Sequence, residues 1–192
     1  MNTNKDEPFE AACAICGATN KLLLHRDALT NWQLVCEDCY QKLKPHVDDV
    51  GINFIKQWES FSSVIYKDTY NIRVIGYGHI IEFNEHITPP ITEQQATDLL
   101  KKDLLKFEDA ALNLIKVKLN QNQFNAFVSL IYNVGSENVK GTRLLELLNS
   151  YKFDLAMQHW KLFDRAGGKE VEGLKRRRLA EIELFNTPVK KG

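Results

Sequence analysis

Two acidic residues, Glu59 and Asp68, lie nine positions apart in a stretch rich in aromatic and β-branched residues. Paired carboxylates of this kind can cleave a glycosidic bond, because one supplies a proton while the other, ionised, activates water or stabilises an oxocarbenium-like centre. Glu59 lies next to Trp58 and close to Phe61, an apolar setting that suits the proton donor. The alternative is two unrelated carboxylates on solvated surfaces, which often occur at this spacing by chance.

The residues around this pair predict a helix followed by a β-hairpin. Three apolar residues recur at helical spacing before Glu59, namely Ile52, Ile55 and Trp58. Asp48 or Asp49 is available as the N-cap of this helix, so Glu59 should lie near its last turn. β-forming residues then flank a predicted turn at residues 69–71. Asp68 is therefore expected at the top of the hairpin.

All four cysteines fall within the first 40 residues, as two Cys-x2-Cys pairs: Cys13, Cys16, Cys36 and Cys39. This spacing is typical of a closed, tetrahedral Zn²⁺ site, and a segment of about 45 residues needs such a site because its own core is small. Two disulfides or a redox Cys-x-x-Cys motif are the alternatives. The N-terminus lacks a secretion signal, which disfavours disulfides, and the second pair disfavours the redox motif. The sequence therefore predicts a structural zinc ion held by the four thiolates.

Short strands are predicted at residues 21–25 and 33–35, and a helix at 37–44. Together with the cysteine pairs, this arrangement resembles a zinc-ribbon or treble-clef finger. A short linker follows, so we expect a zinc-binding module at residues 1–46 and a second domain at 47–192. The module is expected to stabilise the chain or to bind a partner that the sequence does not identify.

The rest of the chain is predicted to be mainly helical. Thr92 and Gln95 form a capping box at the start of an amphipathic helix that runs to about residue 115. Four more helices are predicted, at about residues 121–133, 142–149, 153–163 and 174–185. His79, at a predicted strand end, is expected to hold the neighbouring segment by hydrogen bonds and to be structural. The predicted fold class is therefore α+β, mainly α.

Length and composition fit one core with a small added module: 192 residues, of which 44% are hydrophobic and 26% charged. The formal net charge is zero, with five Lys/Arg against eight Asp/Glu in residues 1–50 and twenty against seventeen in 51–192. No broad basic surface is indicated, so nucleic acid is not expected as the main partner. No apolar stretch is long enough to span a membrane, and we expect a monomer that is kept in the cytoplasm.

The spacing of Glu59 and Asp68, followed by the string IGYGH at residues 75–79, resembles the active-site signature of the phage-type lysozymes. These are the muramidases of glycoside hydrolase family 24. Four later blocks resemble that family in order and spacing, at residues 119–127, 132–135, 165–168 and 173–181. The resemblance covers about residues 50–187, and several blocks in register are more specific than any one of them.

The resemblance implies a lysozyme-like domain of two lobes, in which a long helix joins a small β-hairpin lobe to a helical lobe, with a cleft between them. It implies cleavage of the β-1,4 bond between N-acetylmuramic acid and N-acetylglucosamine in bacterial peptidoglycan. Glu59 would then donate the proton, and Asp68 would activate water or stabilise the positive charge. It also implies a phage endolysin that stays in the host cytoplasm until another protein opens the membrane, and then reaches the cell wall in the periplasm. Zinc would have no part in this chemistry.

The resemblance also assigns two supporting residues. Asn133 would line the saccharide cleft, and the alternative is that it caps the end of its helix. An arginine of the run at residues 175–178 would hold the catalytic glutamate. By its distance along the sequence from Phe185, Arg177 is the best match to this arginine, and Arg176 is the second choice. The alternative for this run is a solvated face of a helix.

One position departs from the family pattern. Val74 lies six residues after Asp68, where the family usually has a threonine whose hydroxyl helps to hold the attacking water. Losing an ordinary hydrogen bond there costs roughly 0.5 to 1.5 kcal/mol, or about two- to tenfold in rate, and about a hundredfold if the bond orients the water. A catalytically weakened peptidoglycan-binding protein is therefore an alternative function. A third interpretation takes the zinc module as the functional part, which recruits a protein or nucleic acid.

Overall fold

The computed structural model describes residues 12, 14–16, 18, 22–26, 32–68 and 70–189. The chain divides into two compact units, Met1–Pro45 and His46–Gly192. The boundary between these units lies one residue before the domain boundary expected from the sequence.

The first unit contains a β-hairpin followed directly by a helix. Strands β1 (Leu22–Arg26) and β2 (Trp32–Cys36) are antiparallel, and α1 (Glu37–Leu43) begins at the end of β2. These bounds agree with the predicted strands and helix to within one or two residues. Of the four cysteines, Cys13 lies outside the described residues.

The second unit begins with the helix that precedes Glu59. Helix α2 (Asp49–Trp58) has Asp48 as its N-cap, and the Asp48 side chain accepts a hydrogen bond of 3.1 Å from the backbone N–H of Gly51. This resolves the choice between the two aspartates that the sequence left open. Glu59 is the first residue after the helix, and its N–H still donates to the carbonyl of Ile55 at 3.2 Å.

A three-stranded antiparallel sheet follows, in the order β3 (Ser62–Lys67), β4 (Arg73–Gly76) and β5 (His79–Ile80). Asp68 begins the connection between β3 and β4, as predicted. This connection is closed by two backbone hydrogen bonds of 3.0 Å, from the N–H of Asp68 to the carbonyl of Ile72 and from the N–H of Asn71 to the carbonyl of Asp68. His79, which the sequence placed at a strand end, is the first residue of β5.

The remaining elements are α3 (Glu93–Leu114), α4 (Gln121–Val134), α5 (Ser136–Val139), α6 (Arg143–Leu148), α7 (Phe153–Trp160), β6 (Arg165–Ala166), β7 (Lys169–Glu170) and α8 (Glu172–Asn186). The predicted capping box is present at the start of α3, where the side chains of Thr92 and Gln95 each accept from the other's backbone N–H. Helix α3 packs against β4 and β5 on one part of its length and against α4 and α5 on another. It therefore connects the sheet with the helices.

Helix α4 lies at the centre of the second unit and packs against α2, α3 and α8. Its apolar residues Phe127, Val128, Leu130 and Ile131 are fully buried. The ring of Phe127 contacts Trp160 of α7 edge-on, and Trp160 in turn contacts Phe185 of α8, with centroid distances of 6.1 and 5.6 Å. This aromatic core fixes α8 against α4, which matters because α8 carries the arginines of the 175–178 run.

One predicted region is wrong. The sequence predicted helices at 153–163 and 174–185 with only a break between them, whereas α7 ends at Trp160 and a β-hairpin precedes α8. The turn of this hairpin is Gly167-Gly168, with φ of 57° and 78°. Two consecutive glycines with positive φ form the tight hairpin turn that L-residues resist, so the local signal was present in the sequence.

The described residues form an α+β fold that is mainly helical, as predicted. None of the helices in the described ranges combines the length and the hydropathy required to cross a membrane.

Candidate functional site

A cleft of about 800 Å³ lies between the sheet and the helices of the second unit. Its walls come from the end of α2, from β5 and the loop after it, from α3 and from α4. The lining residues are Glu59, Gly78, His79, Ile80, Glu82, Asn84, Glu85, Lys102, Asp103, Lys106, Phe107, Tyr132 and Asn133. The cleft is therefore lined by many polar and charged groups, with a few aromatic and apolar walls.

Glu59 reaches this cleft from the end of α2, and its side chain is 24% exposed. The Nη1 group of Arg177 donates a hydrogen bond of 2.6 Å to Oε1 of Glu59. The Arg177 side chain is only 4% exposed, so this charge-assisted contact is shielded from water on the arginine side. The structure thus brings Glu59 and Arg177 together, and Arg176 is exposed on the same helix.

Helix α8 exposes two residues of the 175–178 run and buries the other two. Lys175 and Arg176 are exposed, as expected for a solvated face, but Arg177 and Arg178 are buried. Nη2 of Arg178 donates to Oδ1 of Asn133 at 3.0 Å. Asn133 therefore lies in the cleft wall within α4, and the cap of that helix is Gly135 instead. The capping alternative for Asn133 is wrong.

Both buried arginines contact Glu181, which the sequence did not single out. Nε of Arg177 lies 3.3 Å from Oε1 of Glu181, and Nη2 of Arg178 lies 2.9 Å from the same oxygen. The spacing of three and four residues on one helix face was the available signal, since acidic and basic side chains at this spacing are neighbours.

Asp68 is held by its own loop. Its Oδ1 accepts hydrogen bonds from the backbone N–H groups of Tyr70 and Ile72, at 2.8 and 2.9 Å. The carboxylate is partly exposed at the tip of the hairpin. Among the described residues, those that line the cleft include Glu59 and Asn133 but not Asp68 or Val74. Arg177 joins this group through its contact with Glu59.

Val74 is a buried residue of β4, with 4% of its surface exposed. It pairs with Tyr66 on one neighbouring strand and with Ile80 on the other. The side chain is therefore part of the packed sheet next to the hairpin that carries Asp68, and it offers no hydrogen bond there.

His79 bridges the sheet and α3 on the wall of the cleft. Its Nδ1 lies 2.9 Å from Oδ2 of Asp103, and its Nε2 lies 2.8 Å from Oε2 of Glu85. Burial alone lowers the pKa of His79, but the hydrogen bonds and charges of the two carboxylates outweigh it, so the net shift is upward. The expected structural role is in agreement with these contacts, and neither carboxylate partner was identified from the sequence.

Tyr132 adds a neutral donor to the cleft wall. Its hydroxyl donates to the backbone carbonyl of Tyr77 at 2.9 Å. Burial raises the pKa of Tyr132 above its usual range, and the charge of Glu59 adds to the shift. The Tyr132 phenol therefore keeps its proton at neutral pH. Its hydrogen bond connects α4 to the loop between β4 and β5.

The cysteine cluster lies in the first unit. The Sγ atoms of Cys16, Cys36 and Cys39 all lie within 4.8 Å of one another. Those of Cys16 and Cys36 are 3.5 Å apart, well beyond a disulfide bond of about 2.0 Å. Three converging thiols are soft donors that suit Zn²⁺. The fourth predicted ligand, Cys13, lies outside the described residues, so the described donors fit three of the four positions of a zinc site.

Comparison with known proteins gives the following similarities. A family model described as Phage lysozyme matches residues 56–181. The endolysin of Bacillus phage PZA is 38% identical over 145 residues, which are 73% of this chain and 55% of that protein. The chain therefore spans about half the length of that relative.

Two solved structures are similar to about three quarters of the chain. A mutant of P22 lysozyme is 34% identical with a TM-score of 0.68, over 74% of this chain and 99% of that one. The muramidase domain of SpmX from Asticaccaulis excentricus is 31% identical, also with a TM-score of 0.68, over 75% of this chain and 100% of that one. The fold of the second unit is thus lysozyme-like.

Proposed function

The chain belongs to the phage lysozyme family, and from this premise we propose that it hydrolyses bacterial peptidoglycan as a muramidase of glycoside hydrolase family 24. The bond cleaved is the β-1,4 linkage between N-acetylmuramic acid and N-acetylglucosamine. One observation carries the proposal: Glu59 lies at the wall of an 800 Å³ cleft, with its carboxylate held at 2.6 Å by the buried Arg177. Preorganisation of this kind is what a proton donor needs.

The two carboxylates take different roles. Glu59 donates a proton to the leaving oxygen of the glycosidic bond, and Asp68 activates water on the opposite face or stabilises the developing positive charge. Arg177 fixes the orientation of Glu59. This division is supported by the contacts of each group, since the Glu59 side chain is three-quarters buried while the Asp68 carboxylate lies at a hairpin tip that water can reach.

Asn133 binds the glycan. Its Oδ1 accepts from Arg178, and among the described residues its Nδ2 has no protein acceptor, so both protons of the amide are available to a sugar hydroxyl or an acetamido carbonyl. Val74 supports the hairpin without holding water. A catalytically weakened wall-binding protein is not favoured, because the similar phage protein is named an endolysin.

The biological role that follows is that of a phage endolysin. The protein accumulates in the cytoplasm of the infected host as a monomer, without membrane insertion, and acts on the cell wall when another phage product opens the membrane. Nucleic acid is not its partner. The endolysin of Bacillus phage PZA supports this role by its name and its similarity to the chain.

Residues 1–46 form a four-cysteine zinc module of the ribbon or treble-clef type, and residues 47–192 form the muramidase domain. Zn²⁺ is held by Cys13, Cys16, Cys36 and Cys39 and is structural, since no cofactor takes part in catalysis. The converging thiols support this assignment. Elemental mass spectrometry should find one zinc ion per chain in the wild type and none in Cys36→Ser. A wild-type protein without bound zinc would contradict the proposed zinc site.

The activity is tested by release of soluble fragments with new reducing ends from purified peptidoglycan. Wild type should release them, and Glu59→Gln should not. Glu82→Gln is the matched control, because Glu82 is another acidic residue of the cleft lining and has no assigned role in the chemistry. Equal loss in both variants would show that the charge of the cleft matters and the identity of Glu59 does not.

A further inference from the structure

The second unit contains a buried carboxylate that the proposed chemistry does not use. Glu181 of α8 has no exposed surface. Among the described residues, four side chains contact its two oxygens: Ser129 of α4, Trp160 of α7, and Arg177 and Arg178 of α8. The distances are 2.9 Å from Ser129 Oγ, 2.9 Å from Trp160 Nε1, 3.3 Å from Arg177 Nε and 2.9 Å from Arg178 Nε.

Burying the charge of the Glu181 carboxylate in the core costs free energy. Burial raises the pKa of Glu181, and Arg178, the Trp160 N–H and Arg177 oppose that shift without cancelling it, so the net shift is upward. Because the partners offer N–H and O–H groups, the contacts favour the ionised form. A buried ion pair is often no more stabilising than apolar residues of the same volume. The aromatic rings around Trp160 could therefore form a core at this point without it.

Two series of side-chain contacts connect Glu181 to residues that line the cleft. Through Arg177, Glu181 is connected to Oε1 of Glu59. Through Arg178, it is connected to Oδ1 of Asn133. Glu59 directly follows α2, Asn133 belongs to α4, and both line the cleft. One buried carboxylate thus touches the two groups that fix two separate cleft residues.

We propose that Glu181 is a positioning residue, which holds Arg177 and Arg178 in the orientations that place Glu59 and Asn133 in the cleft. This inference rests on the proposed function, because it gives Glu59 the role of proton donor. It goes beyond that function by assigning the orientation of Glu59 to a residue that contacts neither the cleft nor the glycan. Arg177 alone has several side-chain rotamers; the contact of its Nε with Glu181 selects the one that reaches Glu59.

A purely structural role predicts something different. In that case Glu181 stabilises the packing of α4, α7 and α8, and activity falls only as the folded fraction falls. Trp160→Phe separates the two roles, because it removes a donor to the other oxygen of Glu181 and disturbs the same core, but leaves the carboxylate in contact with both arginines.

The experiment compares the wild type, Glu181→Gln and Trp160→Phe in peptidoglycan hydrolysis. Melting curves are recorded first, and rates are then measured at least about 15 °C below the lowest Tm, so that every variant is folded. We expect kcat of Glu181→Gln to fall roughly ten- to a hundredfold, since a displacement of about 1 Å can have an effect of this size. Trp160→Phe should lower the Tm and keep kcat within about threefold of the wild type.

A second arm tests the route through Arg177. In an Arg177→Ala background, Glu181→Gln should lower kcat by a smaller factor than it does in the wild type, because the route through Arg177 is already missing and only the route through Arg178 to Asn133 remains. Where Glu181→Gln alone does not fold, Glu181→Asp takes its place. Aspartate keeps the charge but withdraws it by one methylene, and kcat should still fall about tenfold.

Each result decides the proposal. A folded Glu181→Gln or Glu181→Asp with kcat within threefold of the wild type would overturn it, as would an equal loss of kcat in Trp160→Phe. If Glu181→Gln lowered kcat in the Arg177→Ala background by as large a factor as in the wild type, this would show that Glu181 does not act through Arg177. Absence of hydrolysis by the wild type is a separate outcome: it would remove the proposed function and this inference with it.

Discussion

The two candidate catalytic carboxylates are held in opposite ways. Glu59 depends on Arg177, which lies 118 residues further along the chain and is itself fixed inside the helical core. Asp68 depends on two backbone N–H groups within four residues of itself. The first group is therefore positioned by tertiary packing, and the second by a local turn.

This difference suits two steps of one reaction. A proton donor has to be in one place when the glycosidic bond stretches, and a buried arginine restricts it there. A carboxylate that activates water needs access to solvent, and a partly exposed hairpin tip gives that access. Changes to the helical core should thus affect Glu59 first, whereas changes to the sheet should affect Asp68.

The largest expected effect comes from neutralising either carboxylate. Glu59→Gln and Asp68→Asn keep the size of the side chain and an oxygen that can accept the existing hydrogen bonds, so position is retained and ionisation is lost. Each should lower the rate of peptidoglycan hydrolysis at least about a hundredfold. Fragment release from purified walls, with circular dichroism to verify folding, measures this. Near-normal release by Asp68→Asn would remove the second carboxylate from the mechanism.

The next effect is at Arg177. Arg177→Met should lower kcat about tenfold or more and lower the Tm by about 6 °C or more, because removing one partner leaves the buried Glu181 with less compensation. Arg176→Met is the matched control, since Arg176 is exposed on the same helix. Thermal melting and steady-state kinetics are compared. An Arg177→Met protein as active as Arg176→Met would contradict the claim that Glu59 is held by tertiary contacts.

A smaller effect is expected on the sheet side. Val74→Thr adds a hydroxyl beside the hairpin of Asp68, and should raise kcat about two- to tenfold if that hydroxyl helps to hold water. The Tm should fall by a few degrees, because the position is 4% exposed and the hydroxyl has to be buried. Val64→Thr, at a site of β3 that is 53% exposed, is the control. A decrease in kcat for Val74→Thr would show that valine is the better residue in this protein.

The smallest effect is expected at His79, which connects the sheet to helix α3. Its pKa is raised in the folded protein, so its stabilising contribution is complete below the unfolded value of about 6.5 and is lost as the pH rises through the folded value. Burial alone raises the pKa of Glu85, but the hydrogen bonds from His79 and from the backbone N–H of Glu82, together with the charges of His79 and Lys102, outweigh it. The net shift of the Glu85 pKa is therefore downward, and its contribution to stability is lost in acid. Asp103 and Lys102 also face this group.

The expected result is a difference in Tm between the wild type and His79→Gln that is larger at about pH 6 than at about pH 9, by about 2 °C or more. Differential scanning calorimetry of both proteins across this range measures it. A difference that stays constant with pH would mean that the charge of His79 does not contribute to stability.

The sequence predicted those features that depend on neighbours in the chain. The capping box at Thr92 and the N-cap at Asp48 are formed within three residues, and the tip at Asp68 within four. Each is visible as a short pattern. A local failure is the hairpin at Gly167-Gly168, which lies between the helices predicted at 153–163 and 174–185.

The contacts that organise the site could not be predicted in this way. Glu181 finds Ser129 and Trp160 at separations of 52 and 21 residues, and His79 finds Asp103 on a different element. No periodicity marks these partners. The family resemblance singled out Arg177 in the basic run, but Arg178 was not identified. The packing of α8 decides which residues of this run are exposed and which are buried.

The most direct test of the central claim is the identity of the new reducing end. Purified peptidoglycan is digested with the wild type and with Glu59→Gln, the products are reduced with borohydride, and the terminal sugar is identified by mass spectrometry. The wild type should yield reduced N-acetylmuramic acid, and Glu59→Gln should yield none above background. Reduced N-acetylglucosamine at the new ends, or equal release by the Glu59→Gln variant, would contradict it.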